Sequence, residues 1–399
     1  MLAVLRQRDF ALLWTGGLVS VAGDWVLYAA LPFFVYERTG STVATAGMVV
    51  AELGPGVVVG SFAGVFVDRL DRRRLLVAAN LLQAAAVSAL LVVAHGGAVW
   101  LVYVVAAAQS AVAAFSVPAE SALLPSLVPA GDLVAANALN TLNNRLARLA
   151  GVPLGGLLLG VAGLTPVVAV DVASFAGAAL LVALVRPPAR SPARRDRFRR
   201  EWVDGLRVVR HDPAVAMVFW VLGLMTFGGT MLDPLYVAWV RDVLGGSPQV
   251  YGLLLATHAV AGIAGALLVG RLRARLSPRV MMGWSSVVAG AALVAKFELP
   301  FVALTFALTV LGGLVSVVSA VGVETWAQSV VPDHLRGRVF AALGASGALF
   351  SLAGAVVGGV AAGYVGVTAM LDVAAALVLV AGVVVLRALP AQHRRSFRP

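Results

Sequence analysis

Twelve runs of apolar residues, each near the length that crosses a hydrocarbon layer, leave this chain few folds to choose from. Crossing a bilayer takes about 20 apolar residues in a helix. Runs of that size lie at 10–36, 42–67, 75–95, 98–117, 133–161, 165–185, 213–240, 248–270, 279–297, 300–323, 335–362 and 367–387, separated by charges or by Gly and Pro turns. A membrane β-barrel is excluded, because its strands would alternate polar and apolar residues. Hydrophobic residues make up 60% of the 399 positions and charged ones 12%, so the bilayer is the solvent for this protein. The expected fold class is an all-α membrane protein of twelve transmembrane helices.

The runs are also written twice. Gly155, Gly156 and Gly160, which follow Val128 and Pro129, recur 203 positions later as Gly358, Gly359 and Gly363 after Val331 and Pro332. Gly40 and Gly47 match Gly245 and Gly252 at an offset of 205, and Glu120 matches Glu324 at 204. Asp171, Val172 and Ala173 match Asp372, Val373 and Ala374 at 201. Such a repeat predicts two pseudo-symmetric six-helix bundles at 1–185 and 213–388, a linker at 186–212 and a tail at 389–399. Duplicated bundles with a site between them suit movement of a solute across a membrane. Gly155, Gly156, Gly358 and Gly359, with Gly151 and Pro153, are read as helix-packing residues, the repeated copies placed at the junction of the halves.

The net charge of +11 reports orientation, not nucleic acid. Of the 30 basic residues, 25 fall in the termini and in loops on one side, among them Arg69, Arg72, Arg73 and Arg74, nine between Arg186 and Arg210, and four between Arg271 and Arg279. The positive-inside rule then puts both termini and the central linker in the cytoplasm, with the chain in the cell's inner membrane. Within the linker, Trp202, Leu206 and Val209 fall on one helical face, as in a short helix lying on the inner leaflet. The first run carries Asp24 and ends without a small-residue cleavage pattern, so it is expected to stay as a helix.

No engine is visible. A phosphate-cradling loop needs Gly residues ending in Lys and then Ser or Thr. The sole Lys, Lys296, closes a predicted helix, and the five His residues never pair at metal-ligand spacing. The absence of Cys removes disulfides and thiolate metal sites. The expectation is a chain that is not an enzyme, with no cofactor and no metal site, driven by an ion gradient or by downhill movement.

Acids inside the apolar runs carry the functional signal: Asp24 in the first, Glu52 in the second, Asp171 in the sixth and Asp233 in the seventh. A carboxylate at the bilayer centre costs roughly 2.5 to 3.5 kcal/mol on insertion scales, so each needs a partner, a proton or water. Arg145 and Arg148, costly alone, are expected to pair with these acids. Glu52 adjoins Gly54, Pro55 and Gly56, which suggest local unwinding. Asp171 and Asp372 are expected to be structural. Aromatic residues gather beside the acids, with Trp25 and Tyr28 in the first run and Tyr236 and Trp239 in the seventh. Such surfaces suit a bulky amphipathic or cationic compound; Trp239 equally suits an interfacial belt.

After the second run, Gly64, Val65, Phe66, Val67, Asp68, Arg69, Leu70, Asp71, Arg72, Arg73 and Arg74 resemble the loop signature of the major facilitator superfamily. In words, that signature is Gly, three residues, Asp-Arg, one residue, Gly, then Arg and a basic residue; Asp71 stands where the family has Gly. The resemblance implies a cytoplasmic gate of Gly64, Asp68, Arg69, Asp71, Arg72 and Arg73 that latches the opposite half, with Glu120 and Glu324 as partners. It also implies that Asp24 and Asp233, on the first helix of each half, line a central cavity and serve coupling or substrate binding. Gly151, Pro153, Gly155 and Gly156 are similar to a Gly-Pro signature of superfamily exporters, except that Val152 separates the first Gly from the Pro. Arg8-Asp9-Phe10, Leu13-Trp14 and Gly23-Asp24-Trp25 resemble the branch that holds macrolide-type drug and siderophore exporters. The function this implies is proton-coupled efflux of a small amphipathic molecule by a monomer in contact with membrane lipids. A lysophospholipid or other lipid translocator of the same fold is the alternative, and a non-transporting receptor or scaffold stands further off.

Overall fold

The computed structural model describes residues 2–67, 69–186, 213–272, 276–331 and 336–388. Asp68 of the expected latch, the expected linker helix and the tail at 389–399 lie outside them. Twelve membrane-length apolar helices occur among the described residues, and no strand. They are α1 (Arg8–Thr39), α2 (Thr42–Val67), α3 (Arg72–Ser88, extended by Leu90–Ala94), α4 (Trp100–Leu127), α5 (Leu133–Ala162) and α6 (Leu164–Ala183), followed by α7 (Pro213–Ala238), α8 (Pro248–Leu272), α9 (Pro278–Glu298), α10 (Val302–Val330), α11 (Arg336–Val365) and α12 (Val367–Ala388).

Two expected helix ends move. α4 continues through Pro118 and Pro125 to Leu127 instead of stopping at 117, and α10 continues to Val330 instead of 323. Prolines are tolerated inside a membrane helix when neighbours re-satisfy the freed backbone. Glu120 and Glu324 therefore sit within helices and not at their ends. The same correction applies to α2. No unwinding occurs at Pro55: the helix runs unbroken from Thr42 to Val67, and the Gly56 N–H donates to Ser110 Oγ at 2.9 Å.

The helices gather into two compact units. One holds residues up to 197 together with 246–256; the other holds 198–245 and the chain from 257 onward. The first turns of α8 thus join the first unit, where the division expected from the repeat left them with the second. The reason is local, since a Cβ on Gly156 would lie 2.7 Å from the Pro248 carbonyl oxygen and 2.8 Å from Gly252 Cα.

Inside each unit the first helix packs on the fifth and the sixth, α1 on α5 and α6, and α7 on α11 and α12. Glycines set the approach. A Cβ on Gly151 would stand 2.5 Å from the Ala22 carbonyl oxygen, and one on Gly155 would strike the Val26 carbonyl. In the second unit Gly354 and Gly358 do the same against Phe227 and Met231. Small residues let membrane helices close to backbone contact, where dispersion and polar contacts replace a hydrophobic drive. Gly155 and Gly358, expected at the junction of the halves, pack inside each one. Apolar clusters fill the remainder: Phe10, Leu13, Val67, Leu76, Leu123 and Leu139 in the first unit, and Val218, Met282, Val323 and Trp326 in the second.

Packing also corrects the register of the repeat. Gly163 and Gly366, both at positive φ, open α6 and α12 at an offset of 203. Gly23 faces Asp171 and Ser174, and its counterpart Gly228 faces Ala374 and Leu377. Asp171 therefore corresponds to Ala374. The match to Asp372 at 201 is out of register, a coincidence in alanine- and valine-rich sequence.

Basic residues expected to latch the opposite half hold helix ends within their own unit. Asp71, in the place of the signature's Gly, caps α3 by accepting the Arg74 N–H at 2.8 Å. Ser277 caps α9 in the same way. Arg73 donates to the Ala183 carbonyl at the end of α6, and Arg279 to the Leu386 carbonyl at the end of α12. Arg72 donates to the Ala122 carbonyl at 2.9 Å. The last carbonyls of a helix lack intrahelical donors and carry the negative end of its dipole, so a guanidinium suits them. Replacing Arg73 with Gln is expected to lower stability by about 2 kcal/mol, seen as an earlier thermal unfolding midpoint. An unchanged midpoint with lost transport would restore Arg73 to a gating role.

Candidate functional site

The chemistry collects where α1 meets α6. Gly23 leaves a hollow in α1, and Asp171 and Ser174 of α6 fill it; a Cβ on Gly23 would come within 2.5 Å of Asp171 Oδ1. Asp171 is fully buried. Ser174 Oγ donates to the Asp171 carbonyl at 2.8 Å and lies 3.3 Å from Oδ1. Asp171 Oδ2 is buried with no hydrogen-bond partner among the described residues. Beside it stands Asp24, next in sequence to Gly23, close enough for the two carboxyl groups to interact electrostatically. Asp24 itself is half-buried.

Two carboxylates this close, one of them sealed from solvent, repel strongly when both carry charge. The cost disappears when either of them takes up a proton. Among the described residues no basic side chain forms an ion pair with them. Arg145 is exposed and forms no ion pair with these acids among the described residues, and Arg148, expected as their partner, instead places its guanidinium 4.8 Å above the Trp25 ring. Trp25 in turn meets Tyr28 edge-on at 5.0 Å, so the stretch of α1 flanking Asp24 is aromatic. Arg148 fails as a counter-ion because the aromatic face offers its extended plane a weakly solvated seat without burial.

The other candidates are dispersed. Glu52 on α2 is half-buried and Asp233 on α7 is exposed, and both engage other groups. Asp233 is thus not the buried acid its apolar surroundings suggested. Glu120 meets the Asn140 side chain, and its Oε1 would lie 3.7 Å from a Cβ on Gly17; among the described residues no ion pair joins it to the Arg cluster. Glu324 is exposed and accepts from Gln328, four residues on, at 3.3 Å. Arg69 is exposed in the turn after α2, where it makes contacts of its own.

Tyr236 stacks on the fully buried Trp239 at 6.2 Å, which removes Trp239 from any interfacial belt. The cation over this aromatic pair is the chain's own: Lys296 Nζ stands 4.4 Å from the Tyr236 ring and 5.0 Å from that of Phe297. A position expected for a cationic substrate is filled from within. Among the described residues no cluster of His, Asp or Glu is arranged to hold a metal.

The Asp24–Asp171 pairing is the feature that sequence reading missed. Its signal lay in departures from the repeat: in the packed register Asp24 corresponds to Gly229, Asp171 to Ala374 and Ser174 to Leu377. The second half preserves the scaffold and lacks the acids.

Twelve apolar helices of membrane-crossing length among the described residues make a multi-pass membrane protein of the major facilitator fold. The chain belongs to the transmembrane secretion effector family of that superfamily, whose pattern it matches over residues 1–397. It is a transporter and not an enzyme. Macrolide efflux protein A of Streptococcus pyogenes is 27% identical over 356 residues, 87% of each chain. The multidrug efflux pump Tap of Mycolicibacterium fortuitum is 26% identical over 352 residues, 85% of each. Among solved structures, a bacterial homologue of the iron transporter ferroportin in an inward-facing state superposes with a TM-score of 0.71 at 19% identity, covering 95% of this chain and 98% of the other. The nucleoside transporter NupG superposes at 0.74 with 12% identity, covering 94% and 98%. The two structures establish the fold alone.

Proposed function

We propose that this protein exports a small amphipathic molecule by alternating access, and that a proton moving through the Asp24–Asp171 pair drives each cycle. The observation carrying the proposal is the buried Asp171 carboxyl, packed against Gly23 with an oxygen that has no hydrogen-bond partner among the described residues and with Asp24 alongside. A carboxyl pair that is charged in a wet state and protonated in a dry one changes its preference for the two as it gains or loses a proton. That difference is what an ion must supply to bias a conformational equilibrium. The family and the relatives named for macrolide and multidrug efflux support the outward direction and the amphipathic class.

In this reading the protein sits in the inner membrane with both termini in the cytoplasm, as the distribution of Arg residues favours. It works as a monomer among lipids, without nucleic acid and without a bound cofactor, the proton gradient supplying the energy. Any gate at the Asp68–Arg74 loop acts on top of the helix-end contacts of Arg72 and Arg73.

Everted membrane vesicles provide the test. Under an inside-acid gradient they are expected to accumulate a radiolabelled macrolide or an amphipathic dye, and an ionophore that collapses the gradient should release it. Accumulation indifferent to the ionophore would refute proton coupling. Movement of a labelled lysophospholipid, with every drug-like probe left behind, would select the lipid translocator instead.

A further inference from the structure

The second unit departs from the repeat in its own way. Gly354 and Gly358 hold α7 and α11 in backbone contact at Phe227 and Met231. Away from that contact, Phe219, Leu222, Gly223 and Thr226 of α7 face Leu343, Ser346, Gly347 and Phe350 of α11 around a cavity of about 90 Å³. Its wall is aromatic: Phe219 meets Phe350 edge-on at 5.8 Å, and Trp220 meets them at 5.4 and 6.2 Å. The Phe350 ring sits over Gly223, where a Cβ would come within 2.6 Å of it.

Two hydroxyls line the same space. Ser346 is 6% exposed, and neither it nor Thr226 makes a side-chain hydrogen bond among the described residues. A buried hydroxyl normally finds a partner.

The equivalent joint of the first unit is bridged by hydrogen bonds. In register, Phe219 corresponds to Trp14, Ser346 to Asn143 and Phe350 to Ala147. There the Trp14 Nε1–H donates to the Leu139 carbonyl at 2.9 Å, and Asn143 Nδ2 donates to the Trp14 carbonyl at 2.8 Å. The same scaffold therefore admits a polar bridge where the second unit has a cavity. An empty one forfeits packing energy.

We propose that this cavity is a subsite for a compact ring or branched apolar group of the exported molecule, with an oxygen of that molecule taking the hydroxyls of Ser346 and Thr226. The word "exported" rests on the function proposed above; the subsite itself rests on the cavity. A dry cavity of about 150 Å³ admits benzene, so this smaller one receives the leading part of a ring and leaves the rest of the ligand outside. Aromatic edges and faces suit a flat group set against Phe219 and Phe350. A flexible acyl tail matches neither the hydroxyls nor the short depth.

The chain has no Cys, so Ser346→Cys installs a single thiol in the cavity. In purified protein this thiol is expected to react about tenfold faster with benzyl methanethiosulfonate than with the n-hexyl or trimethylammonium-ethyl reagent, the discrimination a shaped apolar pocket gives. Benzyl alcohol, which shares the ring and the oxygen, should protect it. A Cβ on Gly347 meets nothing within 4 Å, so adding Gly347→Ile fills the space without a backbone clash and should slow benzyl labelling about tenfold at an unchanged unfolding temperature. Equal rates for hexyl and benzyl would mean a groove for lipid tails, and benzyl labelling indifferent to Gly347→Ile would mean no cavity; either overturns the proposal. Labelling needs neither gradient nor transport. Loss of this pattern therefore leaves proton-coupled export standing, and failure of proton coupling leaves the subsite standing.

Discussion

Asp24→Asn is expected to abolish substrate-driven proton movement in proteoliposomes, reducing it to the leak of empty vesicles, and Asp171→Asn is expected to do the same. Each change keeps the shape of its side chain and removes the capacity to lose a proton. Asn at 171 would still fit the hollow at Gly23 and accept from Ser174, so folding should hold, as monodisperse elution and an unchanged unfolding temperature would show. The two single variants and the double variant should be alike, because groups that work as one unit lose their function with the first deletion. Asp372→Asn separates this account from a general need for membrane acids. Asp372 stands against Glu298 and out of register with Asp171, so its replacement should leave coupling in place. Proton movement that survives in both Asp24→Asn and Asp171→Asn would remove the pair from the mechanism. If Asp171→Asn alone collapsed the fold, Asp171 would return to the structural role its sequence suggested.

How far the sequence could be read follows from what each signal measures. Hydropathy reports contact with lipid averaged over a whole helix, so the number and order of the spans were plain. It is blind to which face of a helix meets which neighbour. Asp24 and Asp171 stand in different helices far apart in the chain, and no periodicity links them. Only the packing of Gly23 against α6 brings them together. The glycine repeat was visible because close helix approach tolerates no side chain, whereas Asp171-Val172-Ala173 misled because short motifs recur by chance in a restricted alphabet. Arg73 was legible as a cation near the membrane surface. Its choice of the Ala183 carbonyl over a partner in the other half depends on where a helix happens to end. Tyr236 and Trp239 were recognised as a seat for a cation, and the occupant, Lys296, lies too far along the chain for spacing to suggest it. In both units the repeat supplies the scaffold, and the chemistry lies where one copy departs from the other: acids against Gly229 and Ala374 in the first, an aromatic cavity against Trp14 and Asn143 in the second.

If the glycine contacts set the helix approach, one methyl group should suffice to break it. Gly155→Ala puts a Cβ against the Val26 carbonyl, and Gly358→Ala puts one 2.9 Å from the Met231 carbonyl oxygen and 3.1 Å from its Cα. Neither neighbour is a flexible side-chain end that can swing aside, so α1 and α5, or α7 and α11, must separate along their length. Overpacking of this kind costs about 1–3 kcal/mol where side chains can yield, and a rigid backbone contact places each variant at about 3 kcal/mol or beyond. Gly177 in α6 supplies the contrast, since a Cβ there meets nothing within 4 Å. Gly177→Ala should be neutral or stabilising by up to about 1 kcal/mol, the helix-propensity gain of Ala over Gly. The measurement is folded yield and thermal unfolding in detergent for the three variants side by side. A fall in yield for Gly155→Ala and Gly358→Ala together, with Gly177→Ala unaffected, is the pattern that duplicated packing demands. Should Gly155→Ala unfold at the same temperature as the parent, the approach of α1 and α5 would have to be set by something other than the Val26 backbone.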